Sequence, residues 1–376
     1  MTNPLLGSIS GLPMVSRPAA VEYSTLKNEI VAKVDSIMES RDDIFSLIGG
    51  NQVSTMRVNH ANHAGTMAVV FLYNRFDLLA LAVPWVYRTY ISHGFSTEYF
   101  PLLFQTFITS IERTVSPGAA GEIMPVYLWL LENHETILRT RFDADEIGLT
   151  SSPEREAERV AFRDALLTGD HGFCLRAAEK DLAERGGIRD LYVHILQPSL
   201  YDIGRMWERG EVSVAEEHLA SAVAGRVMSA LYARIASSER TKRTCVVTAV
   251  PNEHHEIGAR MVADLLEEDG WSVYYLGSNI ELSGAVSFIK ERNPFLVAVS
   301  VALPFTLQGA AELISEVKSD PFLADVRFMA GGLAFSGAGD LWKSIGADGY
   351  ARDASEAVEL ARQWFSEGDR RRSGQI

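Results

Sequence analysis

The spacing of apolar residues predicts a helical structure for the first part of the chain. Up to about residue 147, apolar residues recur three and four positions apart, as in Ile30, Val34 and Ile37. This spacing is typical of amphipathic helices. Residues 1–20 carry glycine, serine and three prolines without this periodicity, and we expect them to form a mobile arm. Residues 21–150 are therefore predicted to form an all-helical domain.

A second helical unit is predicted for residues 151–240. It begins at Ser151-Ser152-Pro153-Glu154, since serine before proline with an acid in the first turn marks a helix start. Glycines near residues 169, 186 and 210 divide the unit into four segments with short connections. Such an arrangement predicts a four-helix bundle.

The pattern changes after Arg243, where strand-like and helical segments alternate. Apolar, β-branched runs occupy residues 245–250, 272–276, 295–301 and 326–329. Helical segments are expected at about 256–269, 281–292, 306–319 and 354–366. Alternation of this kind predicts a parallel sheet with helices on both faces over residues 241–368, so the fold class is mainly α followed by α/β. Residues 369–376 are expected to be a short charged tail.

Composition narrows the classes of partner and location. The chain has 49 acidic and 35 basic residues, a formal charge of −14, which repels nucleic-acid phosphates and anionic membranes. The two cysteines, Cys174 and Cys245, are too few for a disulfide framework, and the N-terminus has no charged leader with an apolar core. We expect a cytoplasmic protein that binds neither nucleic acid nor membrane.

A loop with candidate ligand-binding residues follows the first predicted strand. It reads Pro-Asn-Glu-His-His-Glu-Ile-Gly over residues 251–258. Ligands bind beyond the carboxyl ends of parallel strands, where His255 would project, and Glu253 could hold one nitrogen of its ring. The next two strands end at Ser300 and at Gly331-Gly332, where glycine lets a large ligand approach the backbone.

The spacing of these residues resembles the signature of cobalamin-binding domains of the methionine-synthase type. The resemblance covers residues 244 to about 366 and implies a flavodoxin-like fold that binds cobalamin with its nucleotide tail displaced from the cobalt. It implies that His255 is the lower axial ligand and that Glu253, where the family more often has Asp, is its hydrogen-bonding partner. His254 is the competing ligand, and Ala302 stands where the family has Leu. The residues implied at the nucleotide tail are Gly258, Ser300, Gly331 and Gly332.

The last two helices of the bundle hold a second group of candidate residues. Ser213 and Glu216 form a capping box at the start of the final helix. This places Glu217 and His218 in the first helical turn, beside Trp207 at the end of the preceding helix. The structural alternative is that Trp207 only staples the two helices together and that Glu217 and His218 form a surface pair.

Trp207 followed after nine residues by Glu217-His218 resembles the cap motif of the light-sensing adenosylcobalamin regulators. The resemblance implies that these residues surround the 5′-deoxyadenosyl group, which leaves when light breaks the cobalt–carbon bond. The DNA-binding members of that family have a histidine directly after the tryptophan, whereas this chain has Glu208. His194, His218 or water could then take the vacant cobalt position.

The first domain is rich in aromatic residues. Either they form a Phe/Tyr-rich core or they line a pocket for a flat conjugated ligand; they are Phe71, Tyr73, Phe76, Trp85, Tyr87, Tyr90, Phe95, Tyr99, Phe100 and Phe104. Residues 22–140 resemble the globin-like sensor domains that lack heme. With the cobalamin motifs, the whole chain resembles the photocobilins, which join cobalamin to a bilin such as biliverdin.

A bilin in the first domain would be bound noncovalently, because both cysteines lie outside residues 1–150. A tetrapyrrole needs apolar walls and cations for its propionates. The candidate bilin-binding residues are His60, His63, Arg75, Trp85, Arg88 and His93. Heme is the rival ligand, with His60, His63, His93 or His134 as its axial ligand.

The sequence thus leads to one hypothesis and two alternatives. The first is a light sensor, not an enzyme, that binds adenosylcobalamin and biliverdin and signals through a light-dependent homo-oligomer or an unidentified partner. The second is a corrinoid methyl-carrier protein of a methyltransferase system. The third is a redox or gas sensor with heme in its first domain.

Overall fold

The contacts in the computed structural model divide the chain into two compact units. The structure describes residues 3–140, 153–235 and 243–373. The first unit comprises residues 1–144 with residues 208–211, and the second comprises residues 145–207 and 212–376. The second unit therefore contains both the predicted bundle and the predicted sheet.

The described residues of the first unit form helices, as the apolar spacing predicts. They are α1 (Pro4–Ile9), α2 (Arg17–Glu39), α3 (Ile44–Leu47), α4 (Val53–Tyr73), α5 (Phe76–Ser92), α6 (Tyr99–Glu112), α7 (Pro117–Glu132) and α8 (His134–Arg139). Ile30 and Val34 lie on the buried face of α2. The resemblance of this unit to globin-like sensor domains stays a prediction. Within the described residues, none of the helices is long and apolar enough to cross a membrane.

The prediction of a mobile arm over residues 1–20 is wrong for residues 4–20. Leu5, Ile9 and Val15 are buried, and α1 packs against α5. The side chain of Ser16 accepts a hydrogen bond from the backbone N–H of Ala19 and so caps α2. A six-residue helix with two buried apolar side chains, Leu5 and Ile9, gives too weak a periodic signal to be recognised from the sequence.

Most of the aromatic residues of the first unit form its core. Of the ten aromatic residues considered for a pocket, the buried ones are Phe71, Phe76, Tyr87, Phe95, Tyr99, Phe100 and Phe104. Tyr87 and Phe100 stack with their ring centroids 3.7 Å apart. Trp85, by contrast, is 37% exposed. Of the two interpretations of the aromatic residues, the packing favours the Phe/Tyr-rich core.

The bundle of the second unit, called the cap below, has the four predicted helical segments. They are α9 (Glu156–Thr168), α10 (His171–Arg185), a continuous segment of α11 (Ile188–Leu191), a π-helical turn (Tyr192–Leu196) and α12 (Gln197–Glu208), and finally α13 (Val214–Ile235). Ser151 and Ser152 lie outside the described residues, and Pro153 begins a 3₁₀ turn before α9. Gly169 and Gly186 end α9 and α10 in the left-handed conformation that glycine adopts readily.

The second half of the unit is a five-stranded parallel sheet in the order β2-β1-β3-β4-β5, as in flavodoxin-like folds. The strands are β1 (Thr244–Ala249), β2 (Ser272–Tyr275), β3 (Leu296–Ser300), β4 (Arg327–Gly331) and β5 (Gly349–Ala351). The helices are α14 (Ile257–Glu268), α15 (Leu282–Arg292), α16 (Leu307–Ser319), α17 (Leu341–Ser344) and α18 (Ala354–Ser373).

The sequence pattern predicted four strands and missed β5, because three residues carry no detectable alternation. The predicted tail is also partly wrong, since α18 continues to Ser373.

The cap and the sheet share one hydrophobic core, in which cap residues pack with residues of α14 and α18. Polar contacts cross the same interface. Arg260 on α14 donates to the carbonyl of Gly225 and to the Ser229 hydroxyl of α13 at 3.2 and 3.0 Å. The hydroxyl of Tyr192 donates to Asp264 Oδ2 at 2.7 Å, and both residues are buried. Asp264 is thus a carboxyl group held inside the contact between cap and sheet.

Burial raises the pKa of Asp264 from 3.8 to about 6. Its contribution to stability is therefore complete below pH 3.8 and is lost as the pH rises through about 6. We expect Asp264→Asn to raise the free energy of unfolding at pH 8 by roughly 2–3 kcal/mol and to change it little at pH 4. Unfolding midpoints in urea at both pH values measure this.

Tyr192→Phe serves as the control for this prediction. It removes the hydrogen bond that supports the carboxylate and should make stability fall more steeply between pH 5 and 8. The same pH dependence in Asp264→Asn and in the unchanged protein would show that Asp264 does not titrate in this range.

Candidate functional site

The ends of β1, β3 and β4 meet at one edge of the sheet. Ala249 pairs in register with Ser300, and Ser300 pairs with Gly331. The loops that follow these strands therefore start side by side. The candidate residues after β1, at the end of β3 and after β4 are brought together, as expected for the carboxyl edge of a parallel sheet.

His255 lies in the loop after β1 and is oriented by Glu253. The ring Nδ1 of His255 is 2.6 Å from Glu253 Oε1, and the same oxygen accepts the backbone N–H of His255 at 3.1 Å. Glu253 is completely buried, whereas the His255 side chain is 61% exposed. Because Glu253 holds Nδ1, Nε2 is the ring nitrogen available to a ligand.

The second carboxylate oxygen of Glu253 binds the loop after β3. Glu253 Oε2 accepts the backbone N–H groups of Ala302 and Leu303 at 2.9 and 3.1 Å and the Thr306 hydroxyl at 3.0 Å. Burial by itself would raise the pKa of Glu253, but the hydrogen bonds from His255 and Ala302 outweigh it and lower the pKa to about 2. Glu253 is therefore a carboxylate across the physiological pH range.

The hydrogen bond to Glu253 raises the pKa of His255, and the charge of Glu217 contributes in the same direction. Glu217 lies in the first turn of α13. This helix belongs to the cap, so the cap presents a carboxylate toward the exposed imidazole. A ligand on His255 would lie beside this part of the cap.

A pocket adjoins the loops at this edge, between one face of the sheet and α14 and α18. Its lining comprises Gln197, Tyr201, Val247, Gly258, Ala259, Met261, Val262, Ala298, Val299, Ser300, Met329, Ala330, Gly331, Gly332, Ala351, Arg352, Asp353, Ala354 and Ala357. All four residues predicted from the sequence at a nucleotide tail are among them. A Cβ on Gly258 would lie 4.0 Å from the Ser300 hydroxyl, and glycine leaves the space between the two residues unfilled.

Gly332 shapes the backbone beside the pocket. Its φ is +103°, and a Cβ would lie 2.3 Å from the carbonyl oxygen of Val301. Only glycine fits this close approach of the chain after β4 to the chain after β3. A Cβ on Gly331 would lie 3.2 Å from the carbonyl of Ala351, a tight contact as well.

The cap residues predicted from the sequence take the expected positions in their helices. Trp207 is partly buried in the last turn of α12. The capping box is present, since Ser213 N–H donates to Glu216 Oε2 at 2.7 Å and Glu216 N–H donates to the Ser213 hydroxyl at 3.3 Å. His218 is 73% exposed and bonds to Glu217 at 2.7 Å. The Glu217–His218 hydrogen bond agrees with the alternative that these two residues form a surface pair. The contribution of the Glu217 charge to the pKa of His255 agrees with the hypothesis that Glu217 belongs to the ligand site.

The candidate histidines of the first unit differ in their surroundings. His60 is completely buried, with Nδ1 2.6 Å from Asp35 and Nε2 2.8 Å from the Tyr99 hydroxyl. Both nitrogens are therefore engaged, which argues against His60 as an axial ligand of heme. His63 packs against Phe104, Phe107 and Tyr127, and its Nε2 is buried without a hydrogen-bond partner among the described residues. Burial lowers the pKa of His63 to about 3, so it is neutral.

The remaining candidates of the first unit have contacts with other side chains or with the backbone. Arg75 makes a two-pronged ion pair with Asp77 at 2.8 and 2.6 Å. Arg88 and His93 are half-buried, and Nδ1 of His93 is 2.7 Å from the carbonyl of Thr89. Arg88 makes an ion pair with Glu208 at 2.7 Å, 120 positions further along the chain. A role of these residues in bilin binding stays a prediction.

The sequence pattern missed three contributors to the site. Thr306 was not recognised as a partner of Glu253, because the two residues are 53 positions apart and meet only in the folded chain. Tyr201, from α12 of the cap, lines the pocket, and Asp353 reaches it from the end of the unrecognised strand β5. A hydroxyl residue in the turn after β3 was the only sequence signal for Thr306.

Comparison with known proteins relates the second unit to cobalamin-binding domains. Residues 243–359 match the family model of the B12 binding domain, and residues 159–232 match a second model with the same description. Together the two ranges cover most of the cap and the sheet. These matches support cobalamin binding by this unit.

Curated relatives and a solved structure agree with these matches. The chain is 29% identical over 171 residues to dimethylamine corrinoid protein 2 of Methanosarcina mazei, covering 45% of this chain and 78% of that protein. It is 27% identical over 202 residues to dimethylamine corrinoid protein 3 of Methanosarcina acetivorans, covering 53% and 93%. The structure of the Methanosarcina barkeri monomethylamine corrinoid protein has the same fold over 55% of this chain and 98% of that chain, with a TM-score of 0.50 and 19% identity. The chain is thus related to corrinoid proteins.

We expect Gly332→Ala to lower the free energy of unfolding by about 2 kcal/mol or more, because alanine adds both backbone strain and a clash with Val301. The unfolding midpoint in urea measures the loss. Gly284→Ala in α15 is the matched control, since a Cβ there meets no atom within 4 Å and alanine favours helix. Equal stability of the two variants would contradict the tight approach at Gly332.

Proposed function

We propose that this protein binds cobalamin at the carboxyl edge of the sheet, where His255 would hold the cobalt, and serves as the corrinoid protein of a partner methyltransferase. The observation that carries the proposal is the exposed His255 imidazole fixed by the buried carboxylate of Glu253. A neutral imidazole whose other nitrogen is held by a carboxylate is a typical metal ligand in proteins. The relatives named as corrinoid proteins support the assignment to a methyltransferase system.

The surrounding residues fit the cofactor. Gly258 leaves space facing Ser300, and Ser300, Gly331 and Gly332 line the same pocket, which supports this pocket as the place for a nucleotide tail that has left the cobalt. Cobalamin, when bound, supplies a cobalt centre that accepts and releases an alkyl group. Glu253 keeps the His255 ring in one orientation, and Gln197 and Tyr201 of the cap line the pocket. The chain itself would thus hold the cofactor, while the partner would supply the substrate.

His255→Ala should weaken cobalamin binding at least tenfold and abolish the visible spectrum of histidine-ligated cobalamin, because the variant lacks the imidazole that coordinates cobalt. The measurement is a spectral titration of the purified full chain with hydroxocobalamin. His254→Ala is the control, since this neighbour has no hydrogen bond to Glu253, and it should bind as the unchanged protein does. A histidine-ligated spectrum that survives His255→Ala but not His254→Ala would transfer the ligand role to His254.

A second candidate is a light sensor that binds adenosylcobalamin. Trp207, Glu217 and His218 favour it, because an aromatic wall, a carboxylate and an imidazole can recognise adenosine. The charge of Glu217 contributes to the raised pKa of His255, which supports a place for the first turn of α13 near this histidine. Adenosylcobalamin supplies a cobalt–carbon bond that light breaks. The cap residues would then lose a ligand that they surround, and a changed cap conformation or oligomeric state would be the signal.

The light-sensing candidate extends to a noncovalent biliverdin in the first unit. The observation that supports it is His63, which packs against Phe107 and offers a buried nitrogen without a protein partner among the described residues. Both cysteines belong to the second unit, so a thioether link to the first unit is not expected. Expression with and without bilin synthesis, followed by pigment extraction, separates biliverdin from heme and from no pigment.

Trp207→Ala discriminates between the methyl carrier and the light sensor. For the carrier we expect the ratio of the dissociation constants for adenosylcobalamin and methylcobalamin to stay within about threefold of the ratio for the unchanged protein. A loss of adenosylcobalamin preference of tenfold or more would favour the sensor. Tyr232→Ala, a partly exposed aromatic residue elsewhere on α13, is the control.

Light provides an independent test of the same choice. The full chain loaded with adenosylcobalamin is compared in the dark and after green light by size-exclusion chromatography. The carrier proposal predicts an unchanged oligomeric state, whereas a light-dependent change would establish the sensor. Cyanocobalamin, whose upper ligand is far less sensitive to light, is the control.

A further inference from the structure

The pocket at the carboxyl edge of the sheet has an apolar floor. Val247, Ala298 and Met329 pair in register across β1, β3 and β4, and all three side chains are buried. Met261 of α14 and Ala357 of α18 cover this row from the other side and are buried as well. The floor is therefore built of methyl, methylene and thioether groups.

The polar side chains that line the pocket belong to the cap and to the ends of the strands; they are Gln197, Tyr201, Ser300, Arg352 and Asp353. Ser300 follows Ala298 by two residues along β3 and stands at the strand end. Arg352 and Asp353 come directly after β5, and Tyr201 reaches the pocket from the cap. The backbone N–H and C=O groups of the floor residues are used for hydrogen bonds between the parallel strands. A group that reaches the floor would find little to hydrogen-bond with.

We infer that this pocket selects a cobamide whose lower base is a benzimidazole over one whose lower base is a purine. The inference rests on the proposed function, since it concerns the tail of the proposed cofactor. Dimethylbenzimidazole presents C–H and methyl groups where adenine presents ring nitrogens and an amino group. An apolar floor accepts the former, whereas the polar groups of adenine would lose their hydrogen bonds with water without replacement.

The test compares two cobamides that share the corrin ring and differ in the lower base. The full chain is titrated with cobalamin and with pseudocobalamin, whose base is adenine, and binding is followed by the visible spectrum. We expect cobalamin to bind at least about tenfold more tightly, which corresponds to about 1.4 kcal/mol. Cobinamide, which lacks the base, reports the contribution of the corrin ring and of His255 alone.

The outcomes separate the inference from the proposed function. Equal dissociation constants for cobalamin and pseudocobalamin would overturn the inference and leave the proposed function standing. Failure of both cobamides to bind would overturn the proposed function and the inference with it. A preference for pseudocobalamin would contradict the inference as well.

A pair of variants locates the preference at the floor of the pocket. Met329→Gln places an amide there with little change in size, and we expect it to reduce the preference for cobalamin at least threefold by giving adenine a partner. Met329→Leu keeps the floor apolar and should keep the preference. Should Met329→Gln fold poorly, the comparison of the two cobamides on the unchanged chain still decides the inference. The same preference in both folded variants would remove Met329 from this role.

Discussion

The site depends on the burial of one carboxylate. Glu253 lies after β1, yet its two oxygens collect hydrogen bonds from His255 on one side and from Ala302, Leu303 and Thr306 on the other. A buried ion without such partners would be very costly, so the loops after β1 and β3 must close around it. The same bonds fix the exposed imidazole. The carboxylate that orients His255 therefore also holds the loops after β1 and β3 together.

The second constraint is the core that the cap and the sheet share. Because α13 packs on α14, the cap helix that carries Glu217 is positioned by apolar contacts with the sheet domain. Arg260 adds polar contacts across the same interface. A rearrangement of the cap would have to break both kinds of contact. Burial raises the pKa of Asp264 within this interface, so we expect a rise in pH to weaken the contact between cap and sheet.

Parts of this architecture were predictable because they follow from local rules. The capping box at Ser213 needs residues only three positions apart, and the parallel sheet follows from alternation of buried strands with helices. The close pairing of Glu253 and His255 is also local, at two residues of separation. The short helix α1 and the strand β5 were not predictable, since their few residues are held by distant packing rather than by their own periodicity.

The sequence by itself determined the fold class of the second unit and the residues at the ends of its strands, because strand periodicity and motif spacing are properties of the chain. Only the tertiary structure decided which distant groups complete the site. Thr306 meets Glu253 because β3 lies beside β1, and the floor of Val247, Ala298 and Met329 exists because three strands align in register. For the aromatic first unit, composition left open a core or a pocket, and packing in three dimensions favoured the core, since burial depends on the arrangement of whole helices.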